Sequence, residues 1–192
     1  MSNIQNETYL SMLSELKTDS LDSWAFETIS SADHRILKDI KINIQNALNF
    51  PNLGKKDASL IALAVAINEK NEKLMKVFHN LAVSEGSTQE EIADVFACTS
   101  LLRMNNVFYR FRHFVGKEYY SNTPAGLKMT AMGKPVLGKE LFELISLCVS
   151  ALNGCETCVK SHEQSVLQHG CTEARVFDAI RLTAIVKSLD TF

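Results

Sequence analysis

The sequence of 192 residues predicts an all-α protein. Apolar residues recur three and four positions apart along nearly the whole chain, which is the spacing of one face of a helix. Only 3 Pro and 8 Gly interrupt this pattern, and they cluster between the apolar runs. No stretch has the apolar–polar alternation between turns that a half-buried strand requires. We therefore expect helices joined by loops and no sheet.

The first helices are assigned from their apolar stripes. The stripes of the first two are Leu10, Leu13 and Leu16, followed by Ile36, Leu37, Ile40 and Ile44. The second ends before Pro51, because proline cannot continue a helix. Residues 57–68 are apolar nearly all round, which is typical of a central buried helix. A further helix over 72–85 is stopped by Gly86.

The remaining helices follow from capping signals and a long loop. Thr88 and Glu91 have the spacing of a capping box, which predicts that a long helix begins here and runs towards His113. Residues 117–138 contain most of the remaining Pro and Gly and predict the one substantial loop. Helical periodicity then resumes to the end of the chain.

Composition limits the possible functions. The apolar fraction is 46% and the charged fraction is 22%, as in an ordinary globular domain. The net charge is −2, so the protein lacks the excess positive charge that binding to nucleic acid would need. The first 21 residues lack the pattern of a signal peptide, and no run of about 18 apolar residues predicts a membrane span. Five cysteines, an odd number, favour a reducing compartment, and we expect a cytoplasmic protein.

The chemistry is concentrated in the segment Cys155-x-x-Cys158-x-x-x-His162. If this segment is helical, the three side chains lie along one face, with the thiols near the positive end of the helix dipole. That position lowers a cysteine pKa, so the pattern predicts a dithiol redox site. Two alternatives remain: a zinc site that takes a fourth ligand from elsewhere, or cysteines packed as small apolar residues.

The chain also carries an internal repeat at an offset of 84 residues, which predicts one domain over 1–192 with similar halves at about 55–113 and 139–188. Leu60 and Val65 of the first half match Leu144 and Val149 of the second. The redox residues have no counterparts of their own kind in the first half. Ser59, Asn71, Leu74 and Phe78 stand opposite Glu143, Cys155, Cys158 and His162. Only the C-terminal half is therefore expected to be chemically active.

Two segments resemble the alkyl hydroperoxide reductase AhpD family, within the carboxymuconolactone decarboxylase-like superfamily. The first is residues 143–162, ELISLCVSALNGCETCVKSH, and the second is residues 104–111, MNNVFYRF, with His113. The likeness extends from about Ile36 onward. It implies an all-helical fold of two similar halves and a homo-oligomer, a trimer or a multiple of one. It also implies electron transfer to the peroxiredoxin AhpC from the dihydrolipoyl group of a lipoylated dehydrogenase-complex subunit, with no bound cofactor.

The resemblance also implies a role for each site residue. Cys158 resembles the cysteine that becomes a sulfenic acid or a mixed disulfide, and Cys155 resembles its disulfide partner and proton donor. Glu143 and His162 resemble a proton relay, which agrees with the need of a thiol for a nearby base. Thr157 departs from the pattern, because many family members have His at that position, so the relay would lack one member.

Three other functions remain open. A lactone-handling or decarboxylating enzyme of the same superfamily would need a pocket built on His and Arg. A zinc-binding module would need bound metal to fold. A thiol-based redox sensor would use the same cysteines without turnover.

Overall fold

The computed structural model describes residues 6–21 and 23–192, and within these ranges it contains ten α-helices, one short 3₁₀ helix and no strand. The all-α prediction is confirmed. The helices are α1 (Glu7–Glu15), α2 (Trp24–Ser31), α3 (Ile36–Ala47), α4 (Lys55–Glu69), α5 (Glu72–Ser84), α6 (Gln89–Val115), α7 (Glu118–Asn122), α8 (Lys139–Leu152), α9 (Glu156–Gln168) and α10 (Glu173–Leu189), with the 3₁₀ helix at Thr130–Met132 between α7 and α8. Residues 1–5, part of the segment searched for a signal peptide, lie outside the described residues.

Two buried helices form the centre of the molecule. Every residue from Ala58 to Ala66 of α4 is buried, as the all-round apolar pattern predicts, and so is every residue from Leu141 to Ser150 of α8. The two helices contact each other, and both also contact α6 and α10. α5 packs on α4 and α9 packs on α8, while α1 and α3 cover the N-terminal side. Within the described ranges, no helix is both long and apolar enough to cross a bilayer.

The N-terminal helices differ from the predictions in two ways. In α1, Leu13 is buried but Leu10 is 51% exposed, and Tyr9 and Met12 enter the core instead. The other difference is α2, which the sequence pattern did not indicate. Eight residues are too few for a clear period, and Phe26 is held by ring contacts with Tyr9 and with Phe192, far along the chain.

The two halves repeat the same order of helices. α4, α5 and α6 begin at residues 55, 72 and 89, and α8, α9 and α10 begin at 139, 156 and 173, so each pair of starts is 84 positions apart. Equivalent ion pairs also join the first helix of each half to the third, with the charges reversed. Lys56 pairs with Glu91 in the first half, and Glu140 pairs with Arg175 in the second. The fold of two similar halves is thus present, while the domain limits remain a prediction.

Each half also accepts hydrogen bonds from the turn before the buried helix of the other half. Asp94 of α6 accepts a hydrogen bond from the backbone N–H of Leu137, just before α8, at 3.1 Å. Asp178 of α10 accepts bonds from the backbone and side chain of Asn52, just before α4, at 3.3 and 2.8 Å. The two aspartates are themselves 84 positions apart. Each half therefore supplies an acceptor to the other.

One asymmetry between the halves positions the site. α6 has 27 residues and α10 has 17, so the final turns of α6 have no counterpart in the second half. The capping box of α6 is formed as predicted, with Thr88 and Glu91 bonding to each other's backbone N–H groups. The extra turns reach α9. The predicted long loop then follows, interrupted by the short α7 and the 3₁₀ helix.

Candidate active site

The redox motif lies on a sharp turn between α8 and α9. Gly154 has φ of +64°, a left-handed conformation that glycine adopts without strain, and the Cys155 N–H donates back to Ser150 O at 3.1 Å. Cys155 is the N-cap residue of α9, and Cys158 lies in its first turn. Both sulfurs are therefore at the positive end of the helix dipole, which favours a thiolate.

Cys155 and Cys158 are joined by a disulfide bond in this structure, with Cα atoms 5.2 Å apart. The predicted spacing on one helical face therefore brings the two sulfurs together. The two residues differ in access, because Cys155 is fully buried while Cys158 is 6% exposed and lines a pocket. A reactant that enters this pocket meets the sulfur of Cys158.

Glu143 and His162 are hydrogen-bonded to each other, with His162 one turn after Cys158 on α9. His162 Nδ1 and Glu143 Oε2 are 2.7 Å apart, which links buried α8 to α9. Burial of Glu143 favours its neutral form, but the hydrogen bond and charge of His162 prevail and lower the pKa of the carboxyl. An ionised carboxylate can only accept, so Nδ1 carries the proton of this bond and Nε2 is the ring nitrogen available for exchange.

The pocket at Cys158 has a volume of about 360 Å³ and is bounded by three parts of the chain. α9 forms one wall, the extended end of α6 forms another, and the loop between the halves forms the third. The lining residues are Thr157, Cys158, Ser161 and His162 from α9, Asn105 and Tyr109 from α6, and Met129 and Met132 from the loop. Thr157 is one of these lining residues, at the position where the family resemblance leads us to expect a histidine.

The equivalent positions of the first half are structural. Asn71 is the N-cap of α5, where its side chain accepts from the Leu74 N–H at 3.1 Å. Leu74 and Phe78 are buried in the core, and Ser59 bonds the Lys55 carbonyl of its own helix. Only the C-terminal half carries the redox motif, as expected.

The other three cysteines are free and buried. Burial raises the pKa of Cys98 and of Cys148 to about 12, and burial together with the neighbouring Glu140 carboxylate does the same for Cys171. They are protonated at neutral pH and poor nucleophiles. Across residues 6–21 and 23–192, no three His, Cys, Asp or Glu side chains converge as a metal site would require.

The sequence analysis used the residues of α6 that support the turn only for the family resemblance, and it did not place them at the turn. Arg110 Nη1 donates to the Asn153 carbonyl at 2.6 Å, directly before Gly154. Asn153 also donates to buried Asn106 at 2.9 Å. One signal in the sequence could have indicated these contacts. Asn105 and Asn106 are adjacent inside a 27-residue helix, and asparagine is a poor helix former unless its amide has polar partners.

We expect Arg110→Met to lower the free energy of unfolding by about 1.5–3 kcal/mol, the usual size for a hydrogen bond from a charged donor. Arg103→Met is the matched control, because Arg103 caps the Asn68 carbonyl at 2.8 Å at the end of α4, in the half without the redox cysteines. Both variants should unfold at lower denaturant concentration, but only Arg110→Met should also slow turnover. Equal turnover in the two variants would show that the turn before Cys155 does not depend on Arg110.

Comparisons with known proteins agree with this geometry. The carboxymuconolactone decarboxylase family matches residues 120–190, which include all of α8, α9 and α10. Alkyl hydroperoxide reductase AhpD of Anaeromyxobacter dehalogenans strain 2CP-C is 42% identical over 163 residues, 84% of this chain and 87% of the relative. The proteins of the same name from Beijerinckia indica subsp. indica and Coxiella burnetii strain Dugway 5J108-111 are 36% and 32% identical, over 79% of this chain and over 83% and 87% of their own lengths.

Proposed function

This chain belongs to the alkyl hydroperoxide reductase AhpD family, and from that premise we propose that it is an antioxidant dithiol oxidoreductase of the cytoplasm. In this proposal the protein passes electrons from a protein-bound dihydrolipoyl group to the peroxiredoxin AhpC. The observation that carries the proposal is the Cys155–Cys158 disulfide in the first turn of α9, with Cys158 facing a pocket beside the Glu143–His162 pair. That arrangement supplies a reactive sulfur, a resolving sulfur and a proton acceptor in one place.

The reductive half-reaction begins at Cys158, because its sulfur faces the pocket. One thiolate of the dihydrolipoyl group attacks Cys158 Sγ, the bond to Cys155 breaks, and Cys155 leaves as a thiolate. The second thiol of the donor then attacks the donor sulfur of this mixed disulfide and expels the Cys158 thiolate. Two electrons enter the protein, and the lipoyl group leaves as its cyclic disulfide.

The oxidative half-reaction reverses this flow. The Cys158 thiolate attacks a disulfide of AhpC or, more slowly, a peroxide, and Cys155 then attacks Cys158 Sγ to restore the starting disulfide. His162 accepts the proton of the Cys158 thiol, and the Glu143 carboxylate stabilises the resulting imidazolium through the bond to Nδ1. Cys155 is the disulfide partner in this scheme, and its thiol is the proton donor to the group that its attack displaces from Cys158 Sγ.

We also propose a homo-oligomer, a trimer or a multiple of one. The extended end of α6 supports this, because Val107, Phe111 and Phe114 are 63%, 46% and 74% exposed and recur at intervals of one helical turn. Exposed apolar stripes of this kind commonly bind another subunit. The decarboxylase alternative is less well supported, since among the described residues that line the pocket there is one histidine and no arginine.

Peroxide treatment of the reduced protein should restore the Cys155–Cys158 bond and leave the three other thiols unmodified. The reason is their protonation and burial, which remove both the thiolate and the access that oxidation requires. Mass mapping after denaturation and alkylation measures both results in one sample, with Cys98, Cys148 and Cys171 as internal controls. Finding Cys155 and Cys158 alkylated after treatment would overturn the proposed function.

A further inference from the structure

Asn105 has a buried acceptor with no partner. The residue is 5% exposed, and its Nδ2 donates to the thioether sulfur of Met129 at 3.1 Å, whereas Oδ1 bonds to no protein group. A thioether can accept but cannot donate, so the amide orientation is fixed and the carbonyl oxygen is the unpaired atom. Native proteins seldom leave such an oxygen unsatisfied, and where they do a ligand is a common reason.

The same side chain lines the pocket that contains the reactive sulfur. Asn105 shares this pocket with Cys158 and His162, while Met129 and Met132 supply flexible apolar surface. A ligand matched to these walls has an apolar part for the methionines and a hydrogen-bond donor for Oδ1. Its reacting atom must also be able to meet Cys158 Sγ.

The two classes of reactant in the proposed cycle, thiolates and alkyl hydroperoxides, differ in whether they can donate a hydrogen bond to Oδ1. An attacking thiolate is an anion without a proton, so it has nothing to donate at its reacting end and is repelled by a carbonyl oxygen. An alkyl hydroperoxide is neutral, carries an O–H on the oxygen that a thiolate attacks, and has an alkyl part that suits the thioethers. We propose that Asn105 is a substrate-binding residue whose Oδ1 accepts a hydrogen bond from the terminal O–H of an alkyl hydroperoxide and directs its terminal oxygen towards Cys158.

The chemical step balances with the groups present. The Cys158 thiolate attacks the terminal oxygen, an S–O bond forms and the O–O bond breaks. The hydrogen held by Asn105 stays on that oxygen, so the product on Cys158 is a sulfenic acid. The departing alkoxide takes the proton that His162 received from the Cys158 thiol and leaves as an alcohol. Cys155 then displaces water to form the disulfide.

The test separates the two half-reactions and rests on the dithiol function proposed above. Asn105→Leu keeps the side-chain volume and removes the acceptor, and Asn105→Ala removes it without risk of a clash. The rate of thiol loss when the reduced protein meets cumene hydroperoxide should fall about tenfold in both variants, the usual effect of losing one hydrogen bond. Reduction of the disulfide by free dihydrolipoamide and by dithiothreitol should be unchanged.

Met129→Leu is the matched comparison, because it removes the partner of Nδ2 and leaves Oδ1 in place. It should slow the reaction with peroxide less than threefold. A tenfold loss in Met129→Leu would mean that Asn105 acts by holding Met129, and would overturn the proposal.

The reduction of the disulfide gives a second way to overturn the proposal. If the Asn105 variants were reduced more slowly by dihydrolipoamide but not by dithiothreitol, the Asn105 acceptor would face the amide of the reductant instead of a peroxide. If wild type reacts with the peroxide and the Asn105 variants react equally fast, only the role of Asn105 fails; a wild-type dithiol inert to peroxide would contradict both proposals.

Discussion

Cys158→Ser should abolish turnover, and Cys155→Ser should stop the reaction at a covalent adduct on Cys158. The expected loss for Cys158→Ser is on the order of 10³-fold or more, because the sulfur of this residue is attacked in the reductive half-reaction and is the nucleophile in the oxidative one. Cys155 is fully buried and does not line the pocket, so it acts on Cys158 rather than on an incoming reactant. Without it, a sulfenic acid or a mixed disulfide has no thiol to resolve it. Intact-mass analysis after one equivalent of peroxide, and after one equivalent of a partner in its disulfide form, measures the adduct.

Cys171→Ala is the control for the loss of a thiol as such. Cys171 lies just before α10, is buried, and has a pKa raised to about 12, so its removal should leave turnover within about twofold. An adduct that accumulates on Cys155 in the Cys158→Ser variant would reverse the two roles. That result would require Cys155 to become exposed before it reacts.

Glu143→Gln and His162→Gln should each slow turnover at pH 7 by about 10²–10⁴-fold, the usual contribution of a general base. Most of that loss should return at higher pH, where the Cys158 thiol ionises without help, since an ordinary cysteine has a pKa of about 8.5. The absence of a histidine at Thr157 should increase the dependence on the remaining pair. The measurement is the pH profile of kcat from about pH 6 to 10 for wild type and both variants.

The ionisation of Glu143 itself does not complicate this profile. The pKa of Glu143 is lower in the folded protein than in the unfolded chain, where it is about 4.3. The carboxylate therefore stabilises the fold above about pH 4.3, and this stabilisation is lost as the pH falls through the lower pKa of the folded state. From pH 6 upward the carboxylate is charged throughout. The alkaline recovery of activity therefore reports on the thiol, and acid destabilisation of wild type belongs to a separate range below about pH 4.3.

Glu140→Gln provides the matched control on the same helix. Glu140 lies one turn before Glu143 and pairs with Arg175 at 2.8 Å, away from the pocket. This variant should lower the melting temperature and leave the pH profile unchanged. If the Glu143 and His162 variants behaved in the same way, with lower stability and no alkaline recovery, their role would be structural. Wild-type turnover in both at pH 7 would show that the helix dipole is sufficient to activate Cys158.

The sequence could predict those features that depend on local spacing. The buried helix α4 followed from a run that is apolar all round, and the start of α6 followed from the Thr88–Glu91 capping box. The approach of Cys155 to Cys158 followed from helical geometry, since these residues are one turn apart. The family resemblance indicated Glu143, and the structure places it 2.7 Å from His162.

The remaining features depend on contacts between distant residues. α2 is stabilised by rings from both ends of the chain, so no local pattern reveals it. The pocket requires the last turns of α6 and the Met129 loop to reach α9, and neither approach leaves a periodic signal in the sequence. The unpaired oxygen of Asn105 could be recognised only after its neighbours were known. Residues that line the pocket are therefore harder to predict than those of the redox motif.

The reciprocal aspartates also bear on the history of the chain. Because Asp94 bonds the turn before α8 and Asp178 bonds the turn before α4, a solitary half would lose the hydrogen bond between its aspartate and the other half, and the bond to the backbone N–H of its own entry turn. Two identical copies of one half could satisfy each other, with the aspartate of each bonding the entry turn of its twin. An ancestor of half this length would then have folded as a pair of identical subunits, and gene duplication would have joined that pair into one polypeptide. Once joined, one copy could lose the redox cysteines while it continued to support the other.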